Sequence, residues 1–201
     1  MRGLLRLSGA IDALNIWIGK IAAWAILAAV LVSTINAIVR KLFDMSSNSW
    51  LELQWYLFAM VFLLCAAWTL IANEHIRIDI VNTMLPKSVR NWIDLLGHIF
   101  FLLPFAAVLM ITGWPFFEAS YKINEQSPNA GGLPVWPAKL LVPVCFTLLL
   151  VQAISEIIKR IAVMRGTIPD PHGERQHAAE AEAQEVIKAM EDPDAQHGAK
   201  P

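Results

Sequence analysis

Four stretches of this chain contain no Asp, Glu, Lys or Arg: residues 21–39, 53–73, 95–117 and 140–155. The first three approach the roughly 20 residues that a helix needs to cross about 30 Å of hydrocarbon. The fourth is shorter. It is extended by "GGLPVWPAKLLVP", where Trp136 can sit in the headgroup layer and Lys139 can snorkel toward it, and by Ile157 and Ile158 beyond Glu156. Backbone amides find no water partner inside a bilayer, so apolar runs of this length have to be helical; barrel strands would be shorter and would alternate in polarity. The sequence therefore predicts an all-α integral membrane protein with four transmembrane helices, at about 17–39, 53–73, 95–117 and 137–158. A cleaved signal peptide is the competing reading of the first run, since Arg2 and Arg6 make a basic start. That run exceeds an ordinary signal core and ends in "VRK", with no small-residue cleavage pattern.

Composition agrees: 56% of the residues are hydrophobic and 16% charged, against roughly 25% charged in a soluble domain. The bilayer, and not nucleic acid, is the expected surrounding partner. Orientation follows from the basic residues. The N-terminal segment, the 74–94 loop and the segment after the fourth run hold Arg2, Arg6, Lys20, Arg77, Lys87, Arg90, Lys159, Arg160 and Arg165, whereas the two opposite loops hold Arg40, Lys41, Lys122 and Lys139. This bias predicts both termini in the cytoplasm, N-in/C-in. The membrane domain then covers residues 1–165. Residues 166–201 carry eight acidic and three basic side chains and read as a polar, acidic, disordered cytoplasmic tail with little apolar area to dock.

The polar residues around the runs supply the candidate sites. In "NEHIRIDI", residues 73–80, Glu74, His75, Arg77 and Asp79 follow directly on an apolar run. Ile76, Ile78 and Ile80 alternate with the charged pair, as in an extended segment with one greasy and one polar face. An interfacial connector with partner-contacting side chains fits this better than a metal site: adjacent ligands point apart on most backbones, and no second histidine is near in sequence. Glu52 opens the second run in "SSNSWLELQWY", where an acidic group complements the helix dipole and Trp50, Trp55 and Tyr56 form an aromatic belt. Lying slightly inside the interface, Glu52 calls for a partner, which another membrane subunit could provide. Asp94 and His98, four apart, share a helix face and could pair. An alternative reading makes the chain a haem-bearing anchor of a redox enzyme through His75 and His98.

No ionisable residue is expected in the middle of a span, so nothing supports a proton or ion pathway. Cys65 and Cys145 are single residues within apolar runs and read as buried small hydrophobes. Pro104 and Pro143 should kink their helices, and Ala22, Ala23, Ala25, Ala28 and Ala29 allow a neighbouring helix to approach the first one closely.

A glutamate-led helix, "ELQWYLFAMVFLLCAAWTL", running into "NEHIRIDIV" and then a proline-marked loop resembles the small membrane subunit (DctQ-like, small permease) of tripartite ATP-independent periplasmic, or TRAP, transporters. The late segment "EQSPNAGGLPVWPAKLLVPVCFTLLLVQAISEIIKRI" is similar to the same family. The likeness covers roughly residues 15 to 165 and leaves the acidic tail outside. It implies a non-enzymatic, multi-pass subunit in the bacterial inner membrane. That subunit would brace a large TRAP membrane subunit for sodium-coupled uptake of an organic solute, such as an organic acid, delivered by a periplasmic solute-binding protein. The resemblance implies no cofactor, no metal and no catalytic residue. Glu52, Trp55, Glu74, His75, Arg77 and Asp79 stand as candidate partner-interface or interfacial residues.

Overall fold

The structure, a computed structural model, describes residues 2–45, 47–72 and 86–169. Its elements in chain order are α1 (Arg2–Phe43), α2 (Asn48–Leu64), α3 (Ala66–Ala72), α4 (Lys87–Gly97), a π-helical turn (His98–Leu102), α5 (Leu103–Lys122) and α6 (Trp136–Met164). They make four helices long and apolar enough to cross a membrane: Arg2–Phe43, Asn48–Ala72, Ser88–Lys122 and Trp136–Met164. The connector "NEHIRIDI", with Glu74, His75, Arg77 and Asp79, lies outside the described residues, as does the tail beyond residue 169.

Helix α1 begins at Arg2, well before the expected start near residue 17, because Leu4, Leu5, Leu7, Ile11 and Leu14 continue the helical pattern and no proline interrupts it. Its 42 residues span about 63 Å, twice the hydrocarbon thickness. Ser8, Asn15, Gly19, Ala22, Ala25 and Ala29 are its buried residues, spaced by three, four and seven so that they share one face. The expected small-residue face is thus Ala22, Ala25 and Ala29, joined by Gly19. A Cβ on Gly19 would stand 2.9 Å from the Trp68 Cβ, so glycine is what lets α3 lie against α1.

The second crossing is interrupted at Cys65. The Cys145 thiol on α6 donates to the Leu63 carbonyl at 2.9 Å, and the Cys65 thiol donates to the Gly19 carbonyl at 3.5 Å. Side chains that engage helix carbonyls in this way loosen the ladder locally. In the third crossing Pro104 produces a π turn just before it. Proline has no N–H to give and its ring crowds the carbonyl four residues back, so the turn widens.

Helices α5 and α6 run closely together where Gly113 meets Pro143: a Cβ on Gly113 would lie 3.3 Å from the Pro143 Cβ. Phe105 and Phe146 stack edge to face at 5.7 Å, beside a small core of Leu70, Ala106 and Leu149. The large apolar side chains face outward instead; Trp24, Phe62 and Phe101 are 72%, 73% and 78% exposed. That inversion suits lipid, whose tails are as apolar as leucine and leave the helix seams to small and polar residues.

Helix ends are closed by left-handed residues: Asp44 (φ 51°) after α1, Asn124 (φ 47°) after α5 and Gly166 (φ 68°) after α6. After α5, the Glu125 N–H reaches the Ser120 carbonyl at 3.0 Å and the Asn124 N–H reaches the Tyr121 carbonyl at 3.1 Å, the paired bonds of a Schellman stop. The short described part of the second compact unit, Ala162–Pro201, repeats this pattern around Gly166.

Candidate functional site

Polar side chains gather at the two ends of the helix bundle. At the end away from the chain termini, Glu52 in the second turn of α2 is 4% exposed. Its donors come from the loop between α5 and α6. The Ser127 hydroxyl donates to Oε1, the Asn129 side-chain amide donates to Oε1 at 2.8 Å, and the Leu133 N–H donates to Oε2 at 2.6 Å. A carboxylate taken from water needs such donors, and bonds to a charged acceptor contribute about 1.5–3 kcal/mol each.

The loop is shaped to deliver them. The Asn124 stop turns the chain back, and the Ser127 N–H to Leu133 carbonyl and Val135 N–H to Glu125 carbonyl bonds, at 3.1 and 2.9 Å, close its neck. The Asn129 N–H bonds the Ser127 hydroxyl oxygen at 3.2 Å, and Gly131 takes φ 71°. Gly132 cannot be replaced without displacement: a Cβ there would lie 2.5 Å from the Ser127 Cβ and 2.8 Å from the Glu52 Oε1. On the helix side, the Asn48 amide donates to the Ala130 carbonyl at 3.0 Å, the Ser49 hydroxyl to the Gly131 carbonyl, and the Tyr56 hydroxyl to the Pro134 carbonyl at 3.2 Å. "SSNSWLELQWY" and "EQSPNAGGLP" are therefore two halves of one clasp.

Lys139 completes this end. Its ammonium donates to Glu125 and lies 4.4 Å from the Phe116 ring centroid, so the snorkelling expected toward headgroups is directed to a carboxylate and a ring of the same chain. The Lys139 hydrogen bond holds the Glu125 carboxyl below the usual carboxylate range. Trp136 meets Tyr121 edge to face at 5.4 Å.

The end that carries the termini is built from helix-to-helix pairs. Ser8, Asp12 and Asn15 on α1 meet Gln152, Ser155 and Lys159 on α6 in antiparallel register. The Asn15 amide donates to Gln152 Oε1 at 2.7 Å, and the Gln152 amide to Asp12 Oδ1 at 2.7 Å. The Ser155 hydroxyl donates to Asp12 Oδ1 at 3.0 Å, and Lys159 Nζ stands 2.9 Å from Asp12 Oδ2 and 2.5 Å from Glu156 Oε1. The two serine hydroxyls share a 2.6 Å bond. Beside this cluster, buried Arg160 bridges α6 to α4, 3.0 Å from Asp94 Oδ2 and donating to Asn91 Oδ1 at 3.1 Å.

The sequence-derived candidates fall out as follows. Glu52 finds its donors in its own chain. Trp55 is 60% exposed and lines a groove between α1 and α2. Asp94 and His98 do meet, but through the Asp94 backbone: His98 Nδ1 lies 2.5 Å from that carbonyl oxygen, while the Asp94 carboxylate serves Arg160. Among the described residues no group of three His, Cys, Asp or Glu is placed to hold a metal ion. The α1–α6 network has no counterpart among those candidates, because the uncharged runs 21–39 and 140–155 stop short of Asp12 and Lys159 and leave both outside the spans. Ser8, Asp12 and Asn15 at steps of four and three, and Gln152, Ser155 and Lys159 at steps of three and four, carry the helical signal of two facing polar stripes.

A family model described as tripartite ATP-independent periplasmic transporters, DctQ component, matches residues 29–163. This range contains the Glu52 clasp and the α6 half of the terminal network, and it begins within α1 after Asn15. Comparisons with curated proteins and with solved structures give no match.

Proposed function

The chain belongs to the DctQ component family of tripartite ATP-independent periplasmic transporters, a family of transporter subunits and not of enzymes, and from that premise we propose that it braces the large membrane subunit during solute uptake. The observation that carries this reading is the family match across all four membrane-crossing helices. The two polar ends support it: their hydrogen bonds and ion pairs are made within the chain, so the bundle holds its own shape and presents apolar faces outward. A moving partner needs such a fixed surface to work against.

In the same reading the chain sits in the bacterial inner membrane with both termini in the cytoplasm. It assembles with the large subunit and serves a periplasmic solute-binding protein, and uptake of an organic acid is coupled to sodium. The basic-residue bias supports this orientation. Substrate and ion sites belong to the partners in this reading, since the polar clusters at the two ends of the bundle hold its helices and loop.

Affinity purification of the tagged chain from its native membrane in mild detergent, followed by mass spectrometry, tests the reading. A large polytopic permease should be recovered in near-equal amount; recovery of the chain alone would overturn the brace. The candidate interface residues enter the same assay. Arg77→Ala should lower the recovered partner if that side chain contacts it, and Glu52→Leu should lower it by contact or through the loop that Glu52 holds; since polar contacts between membrane helices average about 0.6 kcal/mol, each change weakens assembly without abolishing it.

A further inference from the structure

Between α1 and α2, on the half of the bundle away from the termini, the seam does not close. A groove with a cavity volume of about 540 Å³ opens there. Its floor is the buried Ala29, and the exposed Ile26, Val30 and Phe58 form its apolar walls toward the middle of the bundle. Nearer the end of α1 the lining turns polar, with Ser33, Thr34, Gln54 and Trp55. Thr34 spends its hydroxyl on the Val30 carbonyl at 2.8 Å. The side chains of Ser33 and Gln54 make no hydrogen bond to any described residue, in contrast to the polar groups of the two bundle ends. Above them α1 ends in Arg40 and Lys41, both exposed and neither paired with an acidic side chain among the described residues.

The seam thus passes from cationic through polar to apolar over the length of one helix segment. From Arg40 to Ile26 it covers about 21 Å at 1.5 Å per residue. One leaflet, taken as half of a bilayer about 40–45 Å thick including its headgroups, is about 20–22 Å. Both the order and the length match a single lipid molecule standing in its leaflet.

We propose that this seam is a binding site for a glycerophospholipid, with one acyl chain along Ile26, Val30 and Phe58, the glycerol ester level with Ser33 and Gln54, and the phosphate toward Arg40 and Lys41. An apolar segment of the large subunit would fill the floor but would have to supply both donors and a negative charge at the upper end; a phospholipid carries ester acceptors and an anion at those heights. The proposal rests on the membrane reading given above but on no particular partner.

Native mass spectrometry of the intact chain, purified in mild detergent and supplied with phosphatidylglycerol and phosphatidylethanolamine, tests it. The wild-type chain should retain one phospholipid. Val30→Trp, which fills the groove from its exposed side, should abolish retention. Gln54→Leu, which leaves the groove shape alone, should reduce it about fivefold, the loss of roughly one hydrogen bond. Joint Arg40→Gln and Lys41→Gln should reduce it as well, whereas Phe101→Trp, on an outward face of another helix, should not. Equal retention by Val30→Trp and Phe101→Trp, or a wild-type chain free of lipid, would overturn the site. So would a photo-crosslinker at position 58 that marks the large subunit and no lipid in the assembled complex. Partner recovery with the wild-type chain, read from the same samples, separates the two readings: a wild-type chain free of lipid but with the large subunit retained counts against the site only, and a lipid-bearing wild-type chain without the large subunit counts against the brace only.

Discussion

The two ends of the bundle are held by different means. At the terminal end, helices are joined to one another through side chains at both ends of each contact, with Asp12 against Lys159 and Asp94 against Arg160. At the opposite end a single carboxylate, Glu52, gathers a loop through a hydroxyl, an amide and a backbone N–H. The first arrangement fixes helix register, and a break there should be felt by the whole bundle. The second fixes a loop on a helix start, and a break there should stay local.

The largest effect is expected from Asp94→Ala. It removes the Asp94 carboxylate from the buried Arg160 guanidinium, and breaking a well-buried pair by removing one partner costs about 3–5 kcal/mol. Thermal unfolding in detergent should show a clear drop, while Asp94→Asn, which keeps an acceptor, should recover part of it. Next comes Gly132→Ala. Its Cβ would press on Ser127 and on the Glu52 carboxylate, and strain of this kind costs about 1–3 kcal/mol. Hydrogen exchange at the Leu133 amide should speed up while helices α1 and α6 stay protected; equal acceleration in all helices would break the distinction between the two ends.

Glu52→Gln should be milder, about 1–3 kcal/mol, since it keeps the shape but turns one acceptor into a donor facing donors. It should leave unfolding of the terminal end unchanged. The smallest effect concerns acidity. The Glu125 carboxyl lies below its ordinary range because of Lys139, so its contribution is present above the unfolded-state value near 4.3 and is lost as pH falls through the lower folded value. Loop protection should therefore hold from pH 7 to about 4.5 and decline only below it, and Glu125→Gln should lessen that decline without removing it, because the Glu52 carboxylate holds the same loop.

The four helices could be read from the chain because bilayer thickness dictates a run of about 20 apolar residues, and the alanine face of α1 followed from spacing alone. The need of Glu52 for a partner was legible as well. The partner was not, since one of its donors is a backbone N–H at Leu133 and no side-chain pattern marks it. Pro104 announced a distortion without specifying a π turn. The interruption at Cys65 has no local signal, because part of its cause is a thiol on α6. Asp12 and Lys159 show a further limit: each looks like the charged flank of its own span, and they become a pair only when the two helices lie antiparallel.

If a bundle locked within itself serves as the brace of a larger transporter, the amount of large subunit recovered per tagged chain, at equal membrane level, should differ between wild type and the Asp94→Ala and Glu52→Gln variants. Recovery should be near-equal with the wild-type chain, most reduced with Asp94→Ala and less reduced with Glu52→Gln. Recovery of the wild-type chain alone, or full recovery with both variants, would contradict that role.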